Sequence, residues 1–169
     1  MSVNVMISSV WHTVVSGDLR DTAATRYLVP AGRASYAAIF LAGSLGHFSR
    51  PTIEHAAHLG VPFASFLVPA SGVLALLGAL SVLIGYRARV GAAMLALFLV
   101  PVTVTMHAFW AVPDPQAAQL QSVMFFKNVA LLGAALLMIH FGSGPFSVDA
   151  RRERSDVGAA DLRQRRNAA

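Results

Sequence analysis

Four long stretches of this chain contain almost no Asp, Glu, Lys or Arg, and they constrain its fold more than any other feature. The first runs from Ala34 to Ser49. The second spans His55 to Tyr86, with its helical part expected over Phe63–Ile84. The third covers Val90–Pro113, and the fourth covers Gln121–Phe141, interrupted only by Lys127. A helix rises 1.5 Å per residue, so about 20 residues cross a hydrocarbon layer of about 30 Å. The second, third and fourth stretches meet that length. The first does so if its helix begins near Leu28 or Val29, which leaves Arg33 to reach back to the interface along its aliphatic stem. A lone strand in lipid would strand its backbone N–H and C=O groups, so the spans must be helical. The expected fold is all-α, an integral-membrane four-helix bundle.

Composition agrees. In 169 residues, 56% are hydrophobic, 12% are charged and the mean hydropathy is +0.60. The charged share is about half that of ordinary globular chains. A sequence pI near 10.7 would suggest a nucleic-acid partner if the charge formed a stripe. It lies instead at the chain ends and in one loop, and reads as a topology signal. Arg20, Arg26 and Arg33 precede the first span, Arg87 and Arg89 lie between the second and third, and six arginines from Arg151 to Arg166 follow the fourth. These eleven of the thirteen basic residues fall on one side of a four-span protein, against Arg50 and Lys127 for the other. The positive-inside rule then puts both termini in the cytoplasm. No nucleic-acid partner is expected; the lipid bilayer is.

The chain has no cysteine, which excludes disulfides, thiolate metal sites and thiol redox chemistry of its own. Residues 1–33 do not read as a signal peptide, because Asp18 and Asp21 precede the first apolar run and no positive charge opens the segment. Three regions are expected: residues 1–27 as an N-terminal cytoplasmic arm, 28–149 as the transmembrane domain, and 150–169 as an Arg-rich cytoplasmic tail, disordered or lying on anionic lipid. Within the arm, Met6 to Val15 with Trp11 fits an interfacial helix. Gly72, Gly78 and Ala79, and Gly133, Ala134 and Ala135, offer close helix contacts. Pro69 and Pro101 are expected to bend their helices or lie near their ends.

Ionisable groups inside a membrane are where function is sought first. Lys127 reads either as an interface anchor or as a bundle-facing cation for an anion or a carbonyl. Asn128, about 100° further round the helix, can tie two helices together. His47 and His107 are expected at similar depth near the outer ends of the first and third spans. Glu54, His55, His58 and Asp114 add ligand-type side chains to the same side. No tight spacing such as HExxH accompanies them, so no metal site is assigned, and a His47–His107–Lys127 polar cluster is the preferred reading. His140 and His12 read as interface residues. Ser71 and Ser81 have no base nearby in sequence and are expected to bond back to their own helix.

Several segments resemble the DoxX family. They are Leu76 to Arg89, Leu97 to Thr103, His107–Ala108–Phe109–Trp110, Phe126 to Gly133, and Gly144–Pro145–Phe146–Ser147–Val148–Asp149. Gly43 to Phe48 is similar to that family's first-helix motif. The resemblance covers about Arg33 to Asp149. It implies a four-helix multi-pass protein of the bacterial inner membrane, with relatives that serve thiosulfate- or quinol-linked oxidoreductases or thiol-stress defence. By the same resemblance His47, His107, Lys127 and Asn128 occupy the polar motif positions. Ala75 stands where many members carry glutamate, and Ala79 where they carry a second glycine, which weakens a catalytic reading.

The expected function is therefore that of an accessory membrane subunit of a quinone- or sulfur-linked oxidoreductase assembly. His47, His107, Lys127 and Asn128 would bind its ligand, a quinone would be the cofactor class, and oxidoreductase subunits would be its partners. The alternatives are a carrier or binder of a small apolar or anionic solute, and a structural membrane scaffold.

Overall fold

The computed structural model describes residues 27–167, and every described element is helical. Helix α1 (Leu28–Ser44) continues into a 3₁₀ turn, Leu45–Phe48. A short α2 (Arg50–His58) leads to α3 (Ala64–Ile84), α4 (Ala88–Met106), a second 3₁₀ turn (Phe109–Ala111), α5 (Pro115–Phe141) and α6 (Val148–Asn167). Four segments are long and apolar enough to cross a membrane: Leu28–Phe48, Ala64–Ile84, Ala88–Ala111 and Pro115–Phe141. Helices α3 and α4 form the middle of the bundle, with α1 against α3 and α5 against α4.

Small residues let the central pair approach closely. A Cβ on Gly78 would lie 2.9 Å from the Gly91 carbonyl oxygen and equally near Leu95, so the two backbones touch as they do where lipid supplies no hydrophobic drive. Around this contact Tyr36, Ala37 and Phe40 of α1 meet Ala75, Ala79 and Val82 of α3 and Leu95, Phe98 and Leu99 of α4. Ala135 seals the core from α5, whereas Gly133 faces open space. The opposite faces carry exposed Leu77, Leu97, Phe126 and Leu137, the apolar exterior that a lipid-facing bundle needs.

Three features depart from expectation. First, α5 starts at Pro115, ahead of the uncharged run. Asp114 caps it, its Oδ2 accepting from the Ala117 N–H at 2.7 Å, and Pro115 fills the first helical position. Lys127 therefore sits mid-helix, about 18 Å along from Pro115 and about 21 Å short of Phe141.

Second, Arg33 does not reach for the interface. It is buried, with Nη1 donating to the Ser143 carbonyl at 2.7 Å and Nη2 to the Phe146 carbonyl at 2.9 Å. The turn after α5 wraps this guanidinium because Gly142 and Gly144 take positive φ. It then closes on the α3–α4 loop. Asp149 accepts from the Arg87 N–H at 2.8 Å and the Ala88 N–H at 3.2 Å, while its own N–H donates to the Gly85 carbonyl at 2.9 Å. One connection thus ties α1, α3, α4 and α5 together at the arginine-rich end.

Third, residues 148–167 form α6, where the tail from residue 150 was expected to be disordered or to lie on anionic lipid. Ser147 Oγ accepts from the Ala150 N–H at 3.0 Å and starts the helix. Asp149 in the first turn and Arg165 and Arg166 in the last complement the helix dipole. Pro69 and Pro101 lie inside α3 and α4. The expected arm helix at Met6–Val15, with Arg20, Arg26 and His12, lies outside the described residues.

Candidate functional site

At the end of the bundle away from this knot, α1 turns into 3₁₀ geometry at Leu45, and Gly72 of α3 makes room for it. A Cβ on Gly72 would stand 2.6 Å from His47 Cβ. This approach brings His47 Nδ1 to 3.0 Å from Ser71 Oγ, while the Ser71 hydroxyl lies 2.7 Å from the Val68 carbonyl. The serine has one hydrogen and gives it to Val68, so His47 Nδ1–H donates to Ser71 and Nε2 is left as an acceptor. Ser71 therefore orients the imidazole and is not an activated nucleophile. It bonds back within its own helix as expected, but it also meets a base that adjacency in sequence could not reveal.

His107 is the residue at which α4 ends. Its Nδ1–H donates to Gln121 Oε1 at 2.8 Å, which again leaves Nε2 as the acceptor. The following 3₁₀ turn is pinned to α5 by ring packing: Phe109 lies edge-on to Phe125 at 5.5 Å, and Trp110 lies edge-on to Phe125 at 5.7 Å. Gln121 is a partner of the candidate site that sequence reasoning missed. Only the i, i+14 closure between helices brings it to His107.

The four expected site residues share one cavity of about 140 Å³, which His47, His107, Lys127 and Asn128 line with Ser44 and a set of apolar side chains. Phe98 forms part of its wall and packs against the His47 ring at 5.4 Å between centroids. Asn128 is buried, whereas Lys127 is exposed, at the cavity's edge, and its Nζ lies 3.4 Å from Met124 Sδ. No carboxylate lines the cavity, so the ammonium has only a weak sulfur acceptor. Such a chamber can hold a small molecule with an apolar body and an acceptor-rich head.

The remaining ionisable residues do not join it. Glu54 pairs with Arg50 at 3.4 Å on the surface of α2, His55 and His58 are exposed on the same helix, and Asp114 is occupied in capping α5. Among the described residues no three His, Asp or Glu side chains are grouped to hold a metal ion. His140 packs edge-on against Phe141 at the other end of α5.

Comparison with known proteins gives one family. The SURF4 family model matches residues 20–154. The chain is similar to the Surfeit locus protein 4 homolog of Schizosaccharomyces pombe, 29% identical over 48% of this chain and 27% of that protein. It is similar to the ER-derived vesicles protein ERV29 of Saccharomyces cerevisiae, 28% identical over 48% of this chain and 26% of that protein. It also matches the inner membrane protein YphA of Escherichia coli, 27% identical over 59% of this chain and 71% of that protein. The chain thus spans about a quarter of the length of the two yeast relatives. No solved structure matches it.

These matches overturn the expected DoxX membership and, with it, the oxidoreductase-subunit function, and they lend no support to oxidoreductase partners. Part of that resemblance lay in features common to small helical bundles, namely small residues at helix contacts, interfacial aromatics and a glycine–proline stop, which carry little family information.

Proposed function

The chain belongs to the SURF4 family, and on that premise we propose that it is a membrane-resident binder or carrier of a small solute with an anionic or carbonyl head. His47, His107, Lys127 and Asn128 would take the head, and Phe40, Phe98, Leu99 and Leu131 the apolar body. One observation carries this reading. Four polar side chains from α1's terminal turn, α4 and α5 converge on a single cavity of about 140 Å³ whose other walls are almost wholly apolar. A buried apolar cavity of about 150 Å³ accommodates benzene, so a ring-sized solute suits the volume. Lys127 supplies the attraction, because an ammonium without a carboxylate partner inside a span favours an anion far more than it would in water.

Eleven of the thirteen basic residues support an orientation with both termini cytoplasmic and the cavity in the opposite half of the bilayer. Residues 28–149 would then be the working domain, with 1–27 and 150–169 as cytoplasmic extensions. One relative's name places it in ER-derived vesicles and another's in an inner membrane, so residence in a membrane is the shared property and no single compartment follows. The vesicle relative favours a second reading of the receptor type, in which the occupant is a short segment of a passenger protein.

Mass spectrometry of gently purified protein should find a co-purifying small acid or carbonyl compound. Lys127→Met should release it while the thermal midpoint stays within a few degrees. If Lys127→Met and His107→Ala instead lower the midpoint and no ligand is ever retained, the polar cluster is a scaffold and the binding role is refuted. Retention of a peptide would favour the receptor reading.

A further inference from the structure

A second, larger concavity of about 820 Å³ opens at the arginine-rich end, between the start of α4, the end of α5 and the first turns of α6. Pockets for small ligands run to roughly 300–1,000 Å³, so a lipid headgroup fits. Its lining is balanced: three guanidiniums, Arg87, Arg89 and Arg152, face three carboxylates, Asp149, Glu153 and Asp156. Asp149 is used up on the Arg87 and Ala88 amides. None of the other five charges comes within ion-pair distance of another. Arg152 lies over the Tyr86 ring at 4.7 Å and Arg87 over the same ring at 5.8 Å, so both are held by an aromatic face and not by an acid. Arg89 lies across Gly142 at the end of α5, where a Cβ would be 3.2 Å from its Nε.

Unpaired charges of both signs around one void at a helix-end level are complementary to a zwitterion. We propose that this concavity is a headgroup site for a phospholipid bearing a primary amine. Arg87, Arg89 and Arg152 bind the phosphate, and Glu153 and Asp156 accept hydrogen bonds from the ammonium. Two observations favour a lipid over a soluble phosphate ester. The concavity opens where two membrane-spanning helices end, and its remaining wall includes Val90 and Phe141, 56% and 73% exposed, against which acyl chains can lie. The balanced charge also argues against a purely anionic lipid, for which the two free carboxylates would be repulsive.

The test is native mass spectrometry of the full chain, with phosphatidylethanolamine, phosphatidylcholine and phosphatidylglycerol in equal amounts. Phosphatidylethanolamine should be retained about fivefold over each of the others, as expected for one added charged contact near a membrane surface. Methylation removes the N–H donors in phosphatidylcholine, and phosphatidylglycerol lacks the ammonium. Arg89→Gln with Arg152→Gln should weaken every phospholipid. Glu153→Gln with Asp156→Asn should reverse the preference towards phosphatidylglycerol, a gain that a misfolded variant cannot produce. Both carboxylates are exposed, so that pair should keep the helix content seen by circular dichroism. Equal retention of the three lipids, an unchanged order in the Glu153→Gln, Asp156→Asn variant, or equally strong binding of soluble glycerophosphoethanolamine would overturn the proposal.

Discussion

Replacing Gly72 with alanine tests whether close contact between α1's terminal turn and α3 shapes the candidate cavity. The new Cβ would sit 2.6 Å from His47 Cβ and 3.2 Å from the Ser44 carbonyl oxygen. Carbon pairs settle at about 3.5–4.0 Å, so the two segments must part by about 1 Å. Neither obstacle is the free end of a flexible side chain, so the strain cannot be relieved by a rotamer change. Overpacking of this kind costs about 1–3 kcal/mol. The same displacement stretches the His47–Ser71 bond beyond hydrogen-bonding distance and reshapes the cavity wall. Gly133 is the internal control, because a Cβ there meets nothing within 4 Å. Gly133→Ala should therefore be neutral or stabilise by up to about 1 kcal/mol through helix propensity. Denaturant titration of both variants in the same micelles, followed by solute retention, measures the contrast. Were Gly72→Ala as stable as Gly133→Ala with its bound solute intact, the packing argument for the site would fail.

Gly85→Ala should be still more damaging, by about 2 kcal/mol or more in the same titration. Gly85 has φ +67, and its new Cβ would run into Arg33 Nη1 and the Ser147 side chain. Arg33→Met strands the Ser143 and Phe146 carbonyls and should cost about 2–4 kcal/mol net of the burial penalty it removes. Arg33→Lys should not rescue it, since a single ammonium cannot reproduce the two-pronged contact. Asp114→Ala should cost about 1 kcal/mol and speed hydrogen exchange at the Ala117 amide without moving the Lys127-dependent binding.

The spans were legible because the bilayer imposes a length and forbids unpaired backbone, and both constraints act locally on the sequence. The α3 bounds, Ala64–Ile84, fall within one residue of the expected Phe63–Ile84. The α5 start was missed because its signal, Asp114–Pro115, is polar and lies outside the uncharged run. His47 and His107 were expected at similar depth, but the full set with Lys127 and Asn128 came from the DoxX resemblance, and its gathering around one cavity depends on helix pairing. Their immediate partners, Ser71 and Gln121, could not be anticipated, because a helix pairing carries no local signature. Arg33 misled for a related reason: a cation near a helix end reads as snorkelling unless the carbonyls that accept it, more than a hundred residues away, are known. The family was misread on short motifs, whereas the match that assigns it runs over residues 20–154.

The bonds from Arg33 join residues 110 and 113 positions apart in the chain. At synthesis rates of about 5–20 residues per second, roughly 5–20 seconds separate the appearance of the guanidinium from that of its acceptors. During that interval the guanidinium in the first span lacks its final acceptors. The last turn of the bundle then acts as a latch on the first. A chain cut short before Ser143 would lack both acceptors, and with them the tie between the first span and the last.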